Sequence, residues 1–182
     1  MERCVLDPVV LPRDTHFLYE MMSAEDQYLY STKLRFHSEQ KFEQWLYQRL
    51  THDFHDFYII RDVHSLNVFG YVHNYDFSLM DGHCKLAVCI APGYRTTGIG
   101  SISAILFMQR LFDMYPLRKL YSTIYDYNTE SLRGNLAAGF TQEGTIREYR
   151  YFNGRFHDMH YLSISRDQFE NTIGKLVRTC FA

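Results

Sequence analysis

KLAVCIAPGYRTTGIG, residues 85 to 100, decides the reading of this chain. Lys85 to Ala91 is an apolar run of the length expected for a strand buried on both faces at the centre of a sheet. Pro92 and Gly93 end it. From Gly98 to Tyr115 the apolar residues Ile102, Ile105, Leu106, Met108, Leu111 and Phe112 recur three and four positions apart, which predicts a long helix. Between strand and helix stands RTTGIG, Arg95 to Gly100. The first turn of a helix carries N–H groups without internal partners and the positive end of the aligned peptide dipoles, so it receives a phosphate well. Glycine at 98 and 100 lets the backbone come close to such a ligand, and Arg95 adds charge.

RxxGxG also fits a loop glycine that merely starts an ordinary helix, so its context and its omissions carry the argument. The turn lacks the GK(S/T) ending with which nucleotide-hydrolysing loops grip terminal phosphates. It also lacks the third glycine of GxGxxG, which argues against a dinucleotide fold.

Working outward, residues 3 to 10 read as a short strand and Thr15 to about Tyr30 as a helix carrying Phe17, Leu18, Met21 and Met22. Ser38 is an N-cap ahead of Phe42, Trp45, Leu46 and Leu50, a second helix. Phe57 to Arg61 and Val68 to Phe77 are extended segments around a turn at 64 to 67, and they should pair as a hairpin. Asp81 and Gly82 turn the chain into the central strand. Beyond the long helix, Leu120 to Tyr125 reads as a strand and 129 to 138 as a short helix ended by Gly139. Residues 145 to 152 and 156 to 164 form a hairpin turning at Asn153 and Gly154, and an amphipathic piece runs from Asp167 to about Val177. The fold class is α/β (α+β): a mixed, mostly antiparallel central sheet flanked by helices, with one parallel strand pair.

With 182 residues, 46% of them hydrophobic, and no repeat or linker, one domain over 1 to 182 is expected. Fifteen Tyr and 14 Phe can line a deep pocket as well as fill a core. A formal charge of -2 gives no global field for a polyanion, so nucleic-acid binding is not expected. Cys4, Cys84, Cys89 and Cys180 are too few and too irregular for a disulfide framework or a CxxC zinc site, which fits a reducing cytoplasm. His157 and His160 lie on a predicted strand, where their side chains point to opposite faces, and no metal site is expected. No apolar run approaches a membrane span, and MERCVLDPVV lacks the apolar stretch of a signal peptide.

Three segments in this order resemble the GNAT superfamily of acyl-CoA N-acyltransferases, over roughly residues 55 to 165. KLAVCIAPGYRTTGIG resembles the family's strand 4, its pyrophosphate turn and the start of its helix 3. NTESLRGNLAAGF, Asn128 to Phe140, resembles its N-x-x-S…G-F segment. EGTIREYRYFNGRFHDMHYLSI resembles the ending of the branch that holds ribosomal-protein and polyamine acetyltransferases. The resemblance implies acetyl-CoA as co-substrate, with its pantetheine arm on the backbone of Val88, Cys89 and Ile90. It implies a pyrophosphate cradle made by Arg95, Thr96, Thr97, Gly98, Ile99, Gly100 and Ser101. It also implies that Asn128 reaches the reactive arm and that Ser131 and Arg133 lie near the phosphates. Apart from the resemblance, Asn128 reads equally as a helix cap and Ser131 as a solvated first-turn residue.

Acyl transfer to an alkylamine needs a base, because the amine is mostly protonated at pH 7, and it needs the thioester carbonyl polarised. The chain departs from the family at both proton-transfer positions. Where many relatives carry a Tyr seven residues after the Asn, it has Asn135, which can donate a hydrogen bond but not a proton. Where many carry a Glu opening strand 4, it has Cys84 and Lys85. His83 is the candidate base left beside that position, with His73 and Asp76 as further titratable neighbours. Asp158 matches a family G-x-x-x-D motif and is expected to bond locally within the last hairpin.

These readings converge on an N-acetyltransferase that acts on a small primary amine such as a polyamine, an amino sugar or an amino-acid derivative. A homodimer stays open. Two alternatives stay open as well: a protein N-terminal acetyltransferase, and an acyl-CoA sensor without turnover.

Overall fold

The structure, a computed structural model, describes residues 4–23, 29, 36–65 and 67–174. Its strands are β1 (Cys4–Pro8), β2 (Phe57–Asp62), β3 (Val68–Ser78), β4 (His83–Ile90), β5 (Lys119–Tyr125), β6 (Thr141–Phe152) and β7 (Arg155–Ser165). Its helices are α1 (Thr15–Ser23), α2 (Glu39–Leu50), α3 (Ile99–Met114), α4 (Thr129–Ala137) and α5 (Arg166–Phe169), the last running on as a π-helical turn over Glu170–Gly174. The seven strands form one sheet in the order β1-β2-β3-β4-β5-β7-β6. The pair β4–β5 is parallel and the other five pairs are antiparallel. The mixed, mostly antiparallel sheet expected from the sequence is therefore present, with KLAVCI at its centre.

Alternation along the strands assigns the two faces. In β2, Tyr58 and Ile60 face the core built on α3, whereas Phe57 and Ile59 face the core built on α1 and α2. On the α3 side Phe107, Met108, Leu111 and Phe112 pack on Val72, Cys84, Leu86, Leu120 and Leu162. On the other side Leu18, Met21, Met22, Phe42 and Leu46 pack on Tyr71 and Cys89. The register skips Phe69 between Ile60–Gly70 and Arg61–Val68, and this bulge puts Phe69 in the α3 core with Val72. Ser38 caps α2 as the sequence indicated, accepting from the Lys41 N–H at 3.3 Å.

Three boundaries move. β6 starts at Thr141 rather than 145, because pairing of Thr141 and Gln142 with Ser163 and Leu162 extends an exposed strand that carries no alternating apolar pattern there. The first helix runs from Thr15 to Ser23, and most of its expected continuation to Tyr30 lies outside the described residues. The expected amphipathic piece from Asp167 becomes α5 and its π turn, with the part beyond residue 174 outside the described residues.

Candidate active site

β4 and β5 pair only from His83–Lys119 to Lys85–Tyr121 and then separate. Leu86 to Ile90 of β4 and Ser122 to Ile124 of β5 become the walls of a wedge, its narrow end at Lys85 and Tyr121. Backbone polar groups that a neighbouring strand would normally satisfy are thus turned towards a cavity of about 580 Å³. The start of α3 and the face of α4 line it, as do an aromatic wall of Tyr71, His73 and Tyr75 and the residues Met22 and Leu29.

The start of α3 behaves as an anion site should. Gly98 occupies the N-cap with φ +85° and no side chain caps the helix, so the first-turn N–H groups are left for a ligand. Thr96 takes φ +63°, so left-handed residues alternate through the turn and curl the backbone into a concavity. A β-carbon on Gly98 would meet nothing within 4 Å; one on Gly100 would come within 3.2 Å of Ile90 Cγ1. Gly98 is thus needed for its backbone angle, and Gly100 for the close fit of the helix on β4. Arg95 donates from Nε to the Ile90 carbonyl at 3.0 Å, which ties the turn to the strand end.

Of the cofactor residues named from the sequence, Val88, Cys89, Ile90, Arg95, Thr96, Gly98, Gly100, Ser101, Asn128, Ser131 and Arg133 all line this one cavity. Thr97 and Ile99 do not: the Thr97 hydroxyl donates to the Tyr94 carbonyl, and Ile99 is buried in the core. Asn128 does two jobs at once. It caps α4, accepting from the Ser131 N–H at 3.3 Å, and its Nδ2 donates to the Leu29 carbonyl at 3.3 Å.

The two proton-transfer candidates fall differently. Asn135 lines the cavity, but its Nδ2 donates to the Ser131 carbonyl one turn back at 2.9 Å. His83 is not among the cavity's lining residues. It stands edge-on to Tyr121 in a separate hollow with Asp76, Lys85, Glu143 and Tyr161. In that hollow Lys85 pairs with Asp76 at 2.8 Å and Lys119 with Glu143 at 2.6 Å. Burial works against the Lys85 charge, but its bonds to Asp76 and Tyr161 outweigh this and raise its pKa.

The histidine that does line the cavity is His73. It stacks on Phe57 with ring centroids 5.1 Å apart, and its Nδ1 lies 3.1 Å from the Asn74 carbonyl. A carbonyl only accepts, so Nδ1 carries the proton and Nε2 keeps a lone pair. Burial, helped by neighbouring His55, pushes its pKa down to about 3. Such an imidazole stays neutral and accepts a hydrogen bond, but holds a proton poorly. Strand position alone does not tell which of His73 and His83 lines the cavity; the point at which β4 leaves β5 does.

Two further pairs are structural. The Glu148 N–H donates to Asp158 Oδ1 at 2.8 Å, the local bond expected within the last hairpin. His157, buried on β7, bonds through Nδ1 to Asp126 at 2.7 Å, and Arg155 Nε donates to its Nε2 at 3.3 Å. Burial raises the pKa of Asp126, but bonds from His157 and the Asp158 N–H lower it by more. Among the described residues no three His, Cys, Asp or Glu side chains converge as a metal site, and no helix is long and apolar enough to cross a membrane.

A split parallel pair beside a helix whose uncapped end faces the split is the fold of GNAT acyl-CoA N-acyltransferases, and this chain has it. No protein-family model matches the chain. It is 23% identical over 133 residues to the SPbeta prophage-derived uncharacterized N-acetyltransferase YokL of Bacillus subtilis (strain 168), covering 73% of this chain and 74% of that one. Among solved structures it is similar to spermidine N-acetyltransferase from Vibrio cholerae in complex with CoA and spermine, with a TM-score of 0.85 and 16% identity over 93% of this chain and 99% of that one. Mutant forms of the spermidine/spermine N-acetyltransferase of that organism superpose with a TM-score of 0.83 at 17% identity, over 94% of this chain and 98% of that one.

Proposed function

We propose that this chain is an N-acetyltransferase that moves the acetyl group of acetyl-CoA to the primary amine of a small molecule, a polyamine being the first acceptor to test. The observation that carries this reading is the wedge between β4 and β5, which opens on the uncapped start of α3. A linear ligand with phosphates at one end and a reactive group at the other matches that shape. The pyrophosphate would rest on the N–H groups of the turn from Arg95 to Ser101, with Arg133 nearby. The arm would lie along β4 at Val88 to Ile90, beyond the point where β4 parts from β5, where a backbone N–H would polarise the thioester carbonyl. Asn128, fixed at its cap, would orient the reactive end.

The aromatic wall is the acceptor side. The Tyr75 ring attracts an alkylammonium, and neutral His73 Nε2 accepts a hydrogen bond from the uncharged amine. Holding the two reactants together at the narrow end supplies much of the rate. The N-acetyltransferase relative and the neighbour with CoA and spermine favour the same chemistry. The buried free cysteines Cys4, Cys84 and Cys89 favour a reducing, cytoplasmic setting. The exposed Ile146, Tyr149, Tyr151 and Phe156 of the last hairpin favour self-association.

The test is release of free CoA from acetyl-CoA across a panel of polyamines, amino sugars and amino-acid derivatives, beside peptides with free N-termini. Turnover with a small amine is expected. Turnover on peptides alone would make it a protein acetyltransferase, and CoA binding without turnover on any amine would make it a sensor.

A further inference from the structure

Asn135 cannot supply the proton that the departing sulfur takes, which leaves solvent, the substrate or a phenol in the wedge as its source. Among the described lining residues the phenols are Tyr71, Tyr75 and Tyr94. Tyr94 packs against Phe69 beside the start of α3, at the phosphate end. Tyr71 pairs in register with Cys89, in the diverging part of the wedge, and is 3% exposed within the α1–α2 core. Tyr75 pairs with Lys85, the last β4 residue still joined to β5. Its hydroxyl lies 3.4 Å from Thr123 Oγ1, two residues past the last paired residue of β5. The Tyr75 side chain therefore spans the wedge just where the strands part.

The direction of the arm gives this placement its meaning. With phosphates at the start of α3 and the arm running along β4 from Ile90 inward, the reactive end arrives at the level of Ala87 and Thr123. The Lys85 ammonium, 5.8 Å from the centroid of the Tyr75 ring, helps to fix that ring. Asn135, by contrast, has its amide committed to the Ser131 carbonyl.

Resting on the acetyltransferase reading, we propose that Tyr75 is the proton donor to the leaving sulfur, with Thr123 as the residue that positions its hydroxyl. As the amine nitrogen bonds the acetyl carbon and the carbon–sulfur bond breaks, the phenol gives its proton to sulfur. The proton shed by nitrogen passes to the phenolate, directly or through water, and restores the phenol. Amine and thioester become amide and thiol, with no proton gained or lost overall.

Tyr75→Phe and Thr123→Val test this, with kcat and KM measured against pH and calorimetric affinities measured for CoA and for desulfo-CoA, which lacks the sulfur. Tyr75→Phe should lower kcat by about 10²-fold or more with KM for acetyl-CoA changed less than about threefold, the size of effect expected from losing an acid catalyst. It should leave desulfo-CoA affinity intact and abolish the wild-type preference for CoA over desulfo-CoA. Thr123→Val should lower kcat part of the way without changing the melting temperature, and it decides the matter if the first variant does not fold. Tyr75→Phe with kcat within about threefold of wild type, or an unchanged preference for CoA, overturns the assignment and leaves the acetyltransferase reading standing. A wild-type protein that neither binds CoA nor acetylates any amine overturns both.

Discussion

The β-carbon that Gly70 lacks would lie 2.0 Å from the carbonyl oxygen of Cys89, and that oxygen belongs to the strand that walls the wedge. No β-carbon sits so close to a backbone oxygen, so any side chain at 70 must push β3 and β4 apart. Gly70→Ala should lower the melting temperature by several degrees, since about 1 kcal/mol shifts a domain of this size by about 2–4 °C. It should also weaken CoA binding, although residue 70 is not among those that line the cavity. A fully stable Gly70→Ala protein would show that the two strands are not packed as described.

Asn128 can be divided by substitution, because one atom caps the helix and another reaches Leu29. Asn128→Ala should cost about 1 kcal/mol of stability by loss of the cap. Asn128→Asp keeps the accepting oxygen and should retain the melting temperature, yet lose turnover along with Ala. Equal activity of the Asp variant and wild type, read from steady-state kinetics, would reduce Asn128 to a helix cap.

His73 makes stability depend on pH with a definite sign. Its pKa falls from the ordinary 6.5 to about 3 on folding, through burial first and the neighbouring His55 second. Below about pH 6.5 the unfolded chain takes up a proton that the native chain refuses, so the contribution of neutral His73 is complete above 6.5 and is lost as pH falls towards 3. Melting temperatures between about pH 7 and 5 should therefore drop less for His73→Gln than for wild type. Parallel curves would mean that His73 is protonated in the native protein.

Asn135→Ala should leave kcat within about threefold of wild type, far less than the loss of an acid. Its melting temperature should hold or rise slightly, because alanine favours the helix interior. A collapse of activity with CoA affinity intact would show the amide to be essential.

Much of this was legible in the sequence, for reasons that differ by position. KLAVCI announces a central strand because it carries apolar side chains on both faces and so lacks alternation, and Pro92, Gly93 and Gly98 mark where the backbone must turn. The start of β6 was not legible: it is an exposed edge strand, paired through its backbone, that asks little of its side chains. The bulge at Phe69 was hidden as well, since simple alternation puts Phe69 on the face of Tyr71. The roles proposed for His73 and Tyr75 depend on where β4 parts from β5, a relation between segments more than thirty residues apart that no local pattern records.

Whether the uncapped start of α3 holds the phosphates of CoA is decided by calorimetric titration of CoA into wild type and Gly98→Asp. Gly98 is the N-cap, its β-carbon position is open, and Asp is among the residues that tolerate a left-handed backbone. The variant should fold, but its carboxylate would sit on the N–H groups that the pyrophosphate needs and would repel it. Wild type should bind CoA, and Gly98→Asp should bind it at least about tenfold more weakly, a difference of about 1.4 kcal/mol. Equal affinity in two folded proteins, or no binding by wild type, would contradict it.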